Sequence, residues 1–108
     1  MLSKKNRADR KTVEKIFKDG RFLSSPNVTF KYILNNNSSI PRISFIAPKS
    51  VAKLAVKRNF LRRLGYNVLG KYINQSPAGL SGVFVFKKYQ DDRLVIENEI
   101  KNILSKIN

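Results

Sequence analysis

The chain has 108 residues, of which 22 are Lys or Arg and 7 are Asp or Glu, so its formal net charge is +15. It contains no Cys and no His, which excludes thiolate and imidazole catalysis, disulfide bonds and the usual zinc ligands. Because 42% of the residues are apolar, the chain is hydrophobic enough to fold around one modest core. We therefore expect a single basic domain over residues 1–108.

The acidic residues are distributed very unevenly. None occurs from Gly20 to Gln90, and all seven lie within residues 9–19 and 91–99. A compact state with this much unpaired positive charge repels itself unless a polyanion neutralises it. Nucleic acid is the commonest partner of this kind, and an anionic membrane surface is the alternative. No apolar run approaches the ~20 residues that cross a bilayer, and no secretion signal is evident, so we expect a cytoplasmic protein.

The chain begins with a basic arm and a short predicted helix. The arm covers about residues 1–8 and contains three cations, Lys4, Lys5 and Arg7. Apolar residues at helical spacing predict a helix over about residues 10–19, with Val13, Ile16 and Phe17 on one face. Asp9 can cap this helix, and Gly20 is a natural C-terminal stop.

Two or three strands and a long helix follow. Alternating apolar residues predict a strand over residues 28–34, and a mostly apolar run predicts another over residues 43–47. A helix is predicted over about residues 54–74, with a buried stripe formed by Leu54, Leu61, Leu64, Val68 and Tyr72. At about 100° per residue, the opposite side would carry Asn59, Arg62, Arg63 and Tyr66.

The last part of the chain predicts one strand and one helix. The apolar run at residues 83–86 is typical of a strand that is covered on both faces. Asp91 or Asp92 can cap a final helix, whose buried face would be Ile96, Ile100, Ile103 and Ile107. This order of elements predicts an α+β fold, a small two-layer sandwich in which the middle helix connects two strands that can be parallel neighbours.

The densest cluster of cations lies at the start of the long helix. Arg58, Asn59, Arg62 and Arg63 fall within about one turn, inside the acid-free region. Guanidinium groups can bind phosphate oxygens in two places, and an Asn side chain can reach a base edge or a sugar hydroxyl. The pattern alone also fits a solvated basic helix face. The lack of acidic partners along the helix favours an interface with a polyanion.

Residues 58–63, Arg-Asn-Phe-Leu-Arg-Arg, resemble the hallmark of the bacterial ribonuclease P protein family, which is Arg-Asn-x-aliphatic-basic-Arg on a helix. Residues 42–49 are similar to the strand and lysine that precede this helix in the family. Residues 16–20 resemble the end of its first helix, and residues 83–87 resemble its last strand. The resemblance covers nearly the whole chain in order. The chain departs from it at Phe60, where the family usually has a basic residue.

The resemblance implies a protein subunit of ribonuclease P. In that family an RNA subunit coordinates Mg²⁺ and hydrolyses one phosphodiester bond of precursor tRNA, which removes the 5′ leader. The protein would provide no catalytic residue and bind no metal tightly, and its partners would be the catalytic RNA and precursor tRNA, with no obligate protein partner. The residues agree with this, since two short patches of carboxylates make a poor two-metal nuclease. The resemblance also implies a left-handed crossover for the middle helix.

The resemblance also assigns two RNA-binding surfaces and a role for the arm. The surface for the catalytic RNA would consist of Lys49, Lys53, Lys57, Arg58, Asn59, Arg62 and Arg63. The leader would lie in a cleft between the first helix and the sheet, formed by Phe17, Phe30, Lys31 and Tyr32. Periodicity alone also allows plain core packing for Phe17 and the strand aromatics. The arm residues Lys4, Lys5 and Arg7 would become ordered on RNA.

Two other functions fit the charge and the motif. One is a purely structural RNA-binding protein, such as a ribosomal protein. The other is a DNA-binding helix protein, although the sequence shows no dimer motif that would match two half-sites.

Overall fold

Three α-helices and four strands make up the described part of the chain. The computed structural model describes residues 10–34, 41–76 and 79–107. In chain order the elements are α1 (Arg10–Asp19), β1 (Arg21–Ser24), β2 (Val28–Leu34), β3 (Arg42–Ile46), α2 (Ala55–Tyr72), β4 (Leu80–Phe86) and α3 (Arg93–Ile107). A single 3-10 turn, Ile73–Gln75, follows α2. The predicted basic arm, Asp9 and the polar run at residues 35–39 lie outside the described residues.

The four strands form one mixed sheet in the order β1-β2-β4-β3. β2 is antiparallel to both β1 and β4, whereas β3 and β4 are parallel. Parallel neighbours need a long crossover between them, and α2 supplies it. The predicted α+β fold, with a crossover helix between parallel strands, is therefore confirmed. The sequence left two or three strands open before α2, and the structure has three.

The two faces of the sheet have different partners. Phe30 of β2 belongs to the main core, together with side chains of β4, α2 and α3. Successive side chains of a strand point to opposite faces, so Lys31 points away from that core. On that other face the Lys31 Nζ lies 4.8 Å from the ring centroid of Phe17 in α1. α2 and α3 thus cover one face and form the predicted two-layer sandwich with the sheet, and α1 adds a partial third layer on the other face that the sequence did not predict.

The approach of α2 to β3 depends on a glycine in the helix. The Phe45 ring of β3 lies so close to Gly65 that a Cβ there would come within 2.5 Å of two ring carbons. The same ring stacks on Phe84 of β4 at a centroid distance of 5.0 Å. Gly65 therefore lets an aromatic layer fill the space between the helix and the sheet.

The predicted faces of α2 need two corrections. Leu61, Leu64 and Val68 are buried as expected, but Leu54 precedes the helix and is 61% exposed, so its placement in the buried stripe is wrong. Tyr66 does not project from the opposite side. Its ring meets Phe45 edge-on at 5.0 Å, and its hydroxyl accepts a 3.2 Å hydrogen bond from the Phe45 N–H. The close approach at Gly65 brings β3 within reach of this long side chain.

A buried carboxylate of α3 holds the loop between β1 and β2. Glu99 accepts hydrogen bonds from the Ser25 hydroxyl, from the Asn27 N–H at 2.8 Å and from the Asn27 Nδ2 at 2.6 Å. Burial raises the pKa of Glu99, but the hydrogen bonds from Ser25 and Asn27 outweigh this effect, and the net pKa lies below its usual value. The charged form of Glu99 thus fixes the β1–β2 hairpin against α3.

Candidate nucleic-acid interface

The start of α2 is held by one arginine instead of a side-chain cap. Leu54 precedes the helix without a capping hydrogen bond, and the first turn contains no acidic residue. The Arg58 Nη1 donates to the carbonyl oxygens of Ala52 at 3.0 Å and Lys53 at 2.7 Å. Arg58 therefore fixes the loop before α2. Its half-buried guanidinium has five N–H donors, and the N–H groups on Nη2 and Nε are not used by these two bonds. Its position is compatible with a role at the predicted interface.

The other predicted residues of this surface are exposed. The Arg62 Nη2 donates a hydrogen bond to the Asn59 Oδ1, which pairs two of the motif's side chains on the outer face of α2. Lys57 lies 5.5 Å from the ring centroid of Tyr89, in the segment after β4. We define the cationic face as the exposed or half-exposed side chains of Lys49, Lys53, Lys57, Arg58, Asn59, Arg62 and Arg63.

The cationic face is not neutralised by the acids of the described residues. The ion pairs in this part of the chain join Glu14 to Arg10, and Glu97 to Lys71 and Arg93. A hydrogen bond from the Tyr72 hydroxyl and the neighbouring cations keep the pKa of Glu97 below its usual value. Glu97 contacts Lys71 and Tyr72 at the C-terminal end of α2, which lies about 20 Å along the helix axis from Arg58. The positive charge of the cationic face is thus available to an external anion.

The second predicted surface is divided between the two sides of the sheet. Phe17 is 43% exposed, whereas its neighbour Ile16 is buried and anchors α1. The Phe17 ring and the Lys31 ammonium face each other beside the sheet. The structure thus brings Phe17 and Lys31 together on an accessible surface, and core packing does not account for Phe17.

The predicted placement of Phe30 and Tyr32 in the same cleft is wrong. Phe30 is 0% exposed and stacks between Tyr32 and Phe84, at centroid distances of 5.5 and 4.3 Å. Residues two apart in a strand share a face, so Tyr32 lies on the core side with Phe30. The half-buried Tyr32 packs against the core. Neither ring lies on the side of the sheet that carries Phe17 and Lys31.

Sequence reasoning missed one aromatic side chain on the side of α1. Phe22 is 67% exposed and is paired with Lys31 across the antiparallel β1–β2 ladder. Directly opposed residues in such a ladder project from the same face. The sequence does contain a signal for this strand. Residues 21–24 are long enough to pair with residues 29–32 across the Ser25–Asn27 turn.

The fold and the cationic face define a class of small basic α+β protein that presents uncompensated positive charge on a crossover helix. The family model described as Ribonuclease P matches residues 2–108. The chain belongs to the ribonuclease P protein family, and it is a protein subunit of that tRNA-processing enzyme. The family implies partnership with the ribonuclease P RNA. A search of curated proteins found no match.

Solved structures of ribonuclease P proteins share this fold. The protein from Thermotoga maritima is 20% identical, with 88% of this chain and 90% of that chain covered and a TM-score of 0.78. A Staphylococcus aureus ribonuclease P protein mutant with defective mRNA degradation activity is 16% identical, with 95% and 88% covered and a TM-score of 0.82. Another S. aureus ribonuclease P protein structure is 15% identical, with 94% and 95% covered and a TM-score of 0.78.

Proposed function

We propose that this chain binds the ribonuclease P RNA through the cationic face and assists the RNA-catalysed, Mg²⁺-dependent removal of the 5′ leader from precursor tRNA. The observation that carries this proposal is the exposed cationic face, which no acid of the described residues neutralises. A folded RNA would supply the missing negative charge. The site of action would be the cytoplasm.

The leader would contact the side of the sheet that carries α1. Phe17 and Lys31 offer an aromatic ring and an ammonium group on an accessible surface there. An aromatic ring stacks on any base, and an ammonium pairs with any phosphate, so such a surface suits leaders of variable sequence. The basic arm with Lys4, Lys5 and Arg7 would add phosphate contacts to the complex.

The protein would assist cleavage by electrostatics and positioning. Catalytic RNA and precursor tRNA repel each other, and bound cations are needed to bring them together. A protein of net charge +15 replaces part of that cation requirement. Mg²⁺ would be held mainly by the RNA. Within the described residues no three His, Cys, Asp or Glu side chains converge on a metal site, and the Asp92 Oδ1 accepts the Leu94 N–H at 3.0 Å as a cap of α3.

Reconstitution tests this proposal. The purified chain is mixed with ribonuclease P RNA and precursor tRNA at low Mg²⁺, where the RNA alone is slow, and formation of the mature 5′ end is measured. We expect strong stimulation, which disappears as Mg²⁺ is raised. Binding of the RNA without stimulation would favour a structural RNA-binding protein. Preferential binding of duplex DNA would favour the DNA-binding alternative.

The described helices include none that is long and apolar enough to cross a bilayer.

A further inference from the structure

The outer strand β1 carries an exposed aromatic ring on the face of the sheet where two lysine side chains also lie. Phe22 lies opposite Lys31 in the β1–β2 ladder, and the Lys31 ammonium reaches back toward α1. Two residues further along β1, on the same face as Phe22, Ser24 accepts a 2.9 Å hydrogen bond from the Lys87 Nζ. Two residues of a strand span about 7 Å. The exposed Phe22 ring thus has Lys31 opposite it on β2 and the Lys87 ammonium beside Ser24, two residues further along β1.

This arrangement has no carboxylate partner in the described part of the chain. Neither Lys31 nor Lys87 takes part in an ion pair there, and Lys87 is held by the Ser24 hydroxyl and by the Ser25 carbonyl oxygen at 3.0 Å. β1 is also an outer strand of the sheet, so one of its edges pairs with no other strand of the described residues. A ring with 67% exposure that shares its face of the sheet with two cations matches the chemistry of a nucleotide, whose base can stack and whose flanking phosphates can pair with ammonium groups.

We propose that β1 forms a track for single-stranded RNA, in which one base stacks on Phe22 while its two flanking phosphates meet the ammonium groups of Lys31 and Lys87. This track extends the leader surface beyond Phe17, and it rests on the proposed function because the RNA is the 5′ leader. The contact requires a base of any identity at one position. The track therefore predicts that one position of the leader, always the same one, must carry a base, whatever the identity of that base.

The test uses the reconstituted holoenzyme and precursor tRNAs in which single leader nucleotides are replaced, one at a time, by abasic residues. The dissociation constant is measured with the unaltered chain, with Phe22→Ala and with Phe22→Leu, which keeps an apolar side chain without a π-face. Leu94→Ala, which shortens an exposed apolar side chain on α3, is the matched control. Tight binding of the catalytic RNA by each variant establishes that it is folded.

We expect Phe22→Ala and Phe22→Leu to weaken binding of the full-leader precursor by about tenfold, within the range found for single base-stacking contacts. One abasic position should weaken binding by the unaltered chain to the same extent and cause no further loss with Phe22→Ala. Lys87→Gln should lower the salt dependence for the full-leader precursor and leave leaderless tRNA unaffected.

Equal losses at the abasic position with and without Phe22, or unchanged affinity for both Phe22 variants, would overturn the β1 track. The proposed function would survive that result as long as the chain still stimulates cleavage. Failure of the unaltered chain to bind the catalytic RNA or to stimulate cleavage would instead overturn the proposed function, and the track with it.

Discussion

The Phe45 ring rests directly on the α-carbon of Gly65, with no room for a methyl group between β3 and α2. A Cβ at residue 65 would lie 2.5 Å from two carbons of the ring. The ring cannot easily move, because it stacks on Phe84 at 5.0 Å and meets Tyr66 at 5.0 Å. The helix that carries the cationic face is therefore positioned by a contact in the core.

Gly65→Ala should destabilise the protein, although alanine favours a helix by about 1 kcal/mol over glycine. Overpacking of a filled core typically costs about 1–3 kcal/mol, which exceeds the gain in helix propensity. Gly70→Ala, on a different side of the same helix and half-buried, is the matched control and should keep or raise stability. The free energy of unfolding from urea titrations checks both variants. A stabilised Gly65→Ala protein would show that the contact with Phe45 relaxes freely.

Arg62→Ala and Arg63→Ala should weaken binding of the ribonuclease P RNA. If each guanidinium contacts a phosphate, the slope of log affinity against log salt should become shallower by about one unit per substitution. Lys101→Ala, which removes an exposed cation from α3, is the control and should leave the slope nearly unchanged. Filter binding over a range of salt concentrations provides the slopes. Identical slopes for all variants would remove these arginines from the interface.

Phe30→Ala should lower folding stability, whereas Phe17→Ala should lower affinity for the leader. Phe30 is fully buried, so its removal should cost about 3–5 kcal/mol of folding stability. Phe17 is largely accessible, so its removal should leave the fold intact and weaken leader-dependent binding by about 1–3 kcal/mol. Thermal unfolding and the affinity difference between precursor and mature tRNA separate the two effects. A Phe17→Ala protein with unaltered leader affinity would place the leader elsewhere.

The contribution of Glu99 should depend on pH. Its pKa in the folded protein is lowered from the ordinary value of a glutamate by the hydrogen bonds from Ser25 and Asn27, so its stabilisation is fully present above the unfolded pKa. It is lost as the pH falls through the lower, folded pKa. Glu99→Gln should therefore destabilise the protein at neutral pH, by about 1.5–3 kcal/mol if the bonds to the charged group are lost.

The same substitution should flatten the decline of stability below pH 4, because one depressed carboxylate has been removed. Glu14→Gln, at an exposed carboxylate of α1 that pairs only with Arg10 at 3.5 Å, is the control and should change neutral-pH stability by less than about 0.5 kcal/mol. Unfolding curves at several pH values test the prediction. Equal effects of both substitutions would mean that the bonds from Ser25 and Asn27 contribute little.

Local patterns predicted the elements better than the site. The end of α1 follows from Gly20, and the limits of β2 follow from its alternation, because both signals lie in adjacent residues. Alternation also implies that Lys31 does not share a face with Phe30 and Tyr32. Which face α1 covers is decided by packing between distant elements, and no short pattern contains that information.

Tyr66 and Phe22 are both positioned by residues that are distant from them in the sequence, so local patterns could not place them. A helical wheel puts Tyr66 on the outer side of α2, but the missing side chain at Gly65 lets β3 reach it. Phe22 lies in a four-residue strand, too short for a clear periodicity, and its role depends on its pairing with Lys31. In both cases the neighbour that decides the outcome is far away in the sequence.

α1 and α2 lie on opposite sides of one sheet, so the two proposed RNA surfaces are back to back. The described part of the protein measures 24 Å even along its shortest axis. Ribozyme and leader could therefore occupy the protein together without competing for a shared footprint. The bound subunit would then hold the leader on one face and the catalytic RNA on the other at the same time.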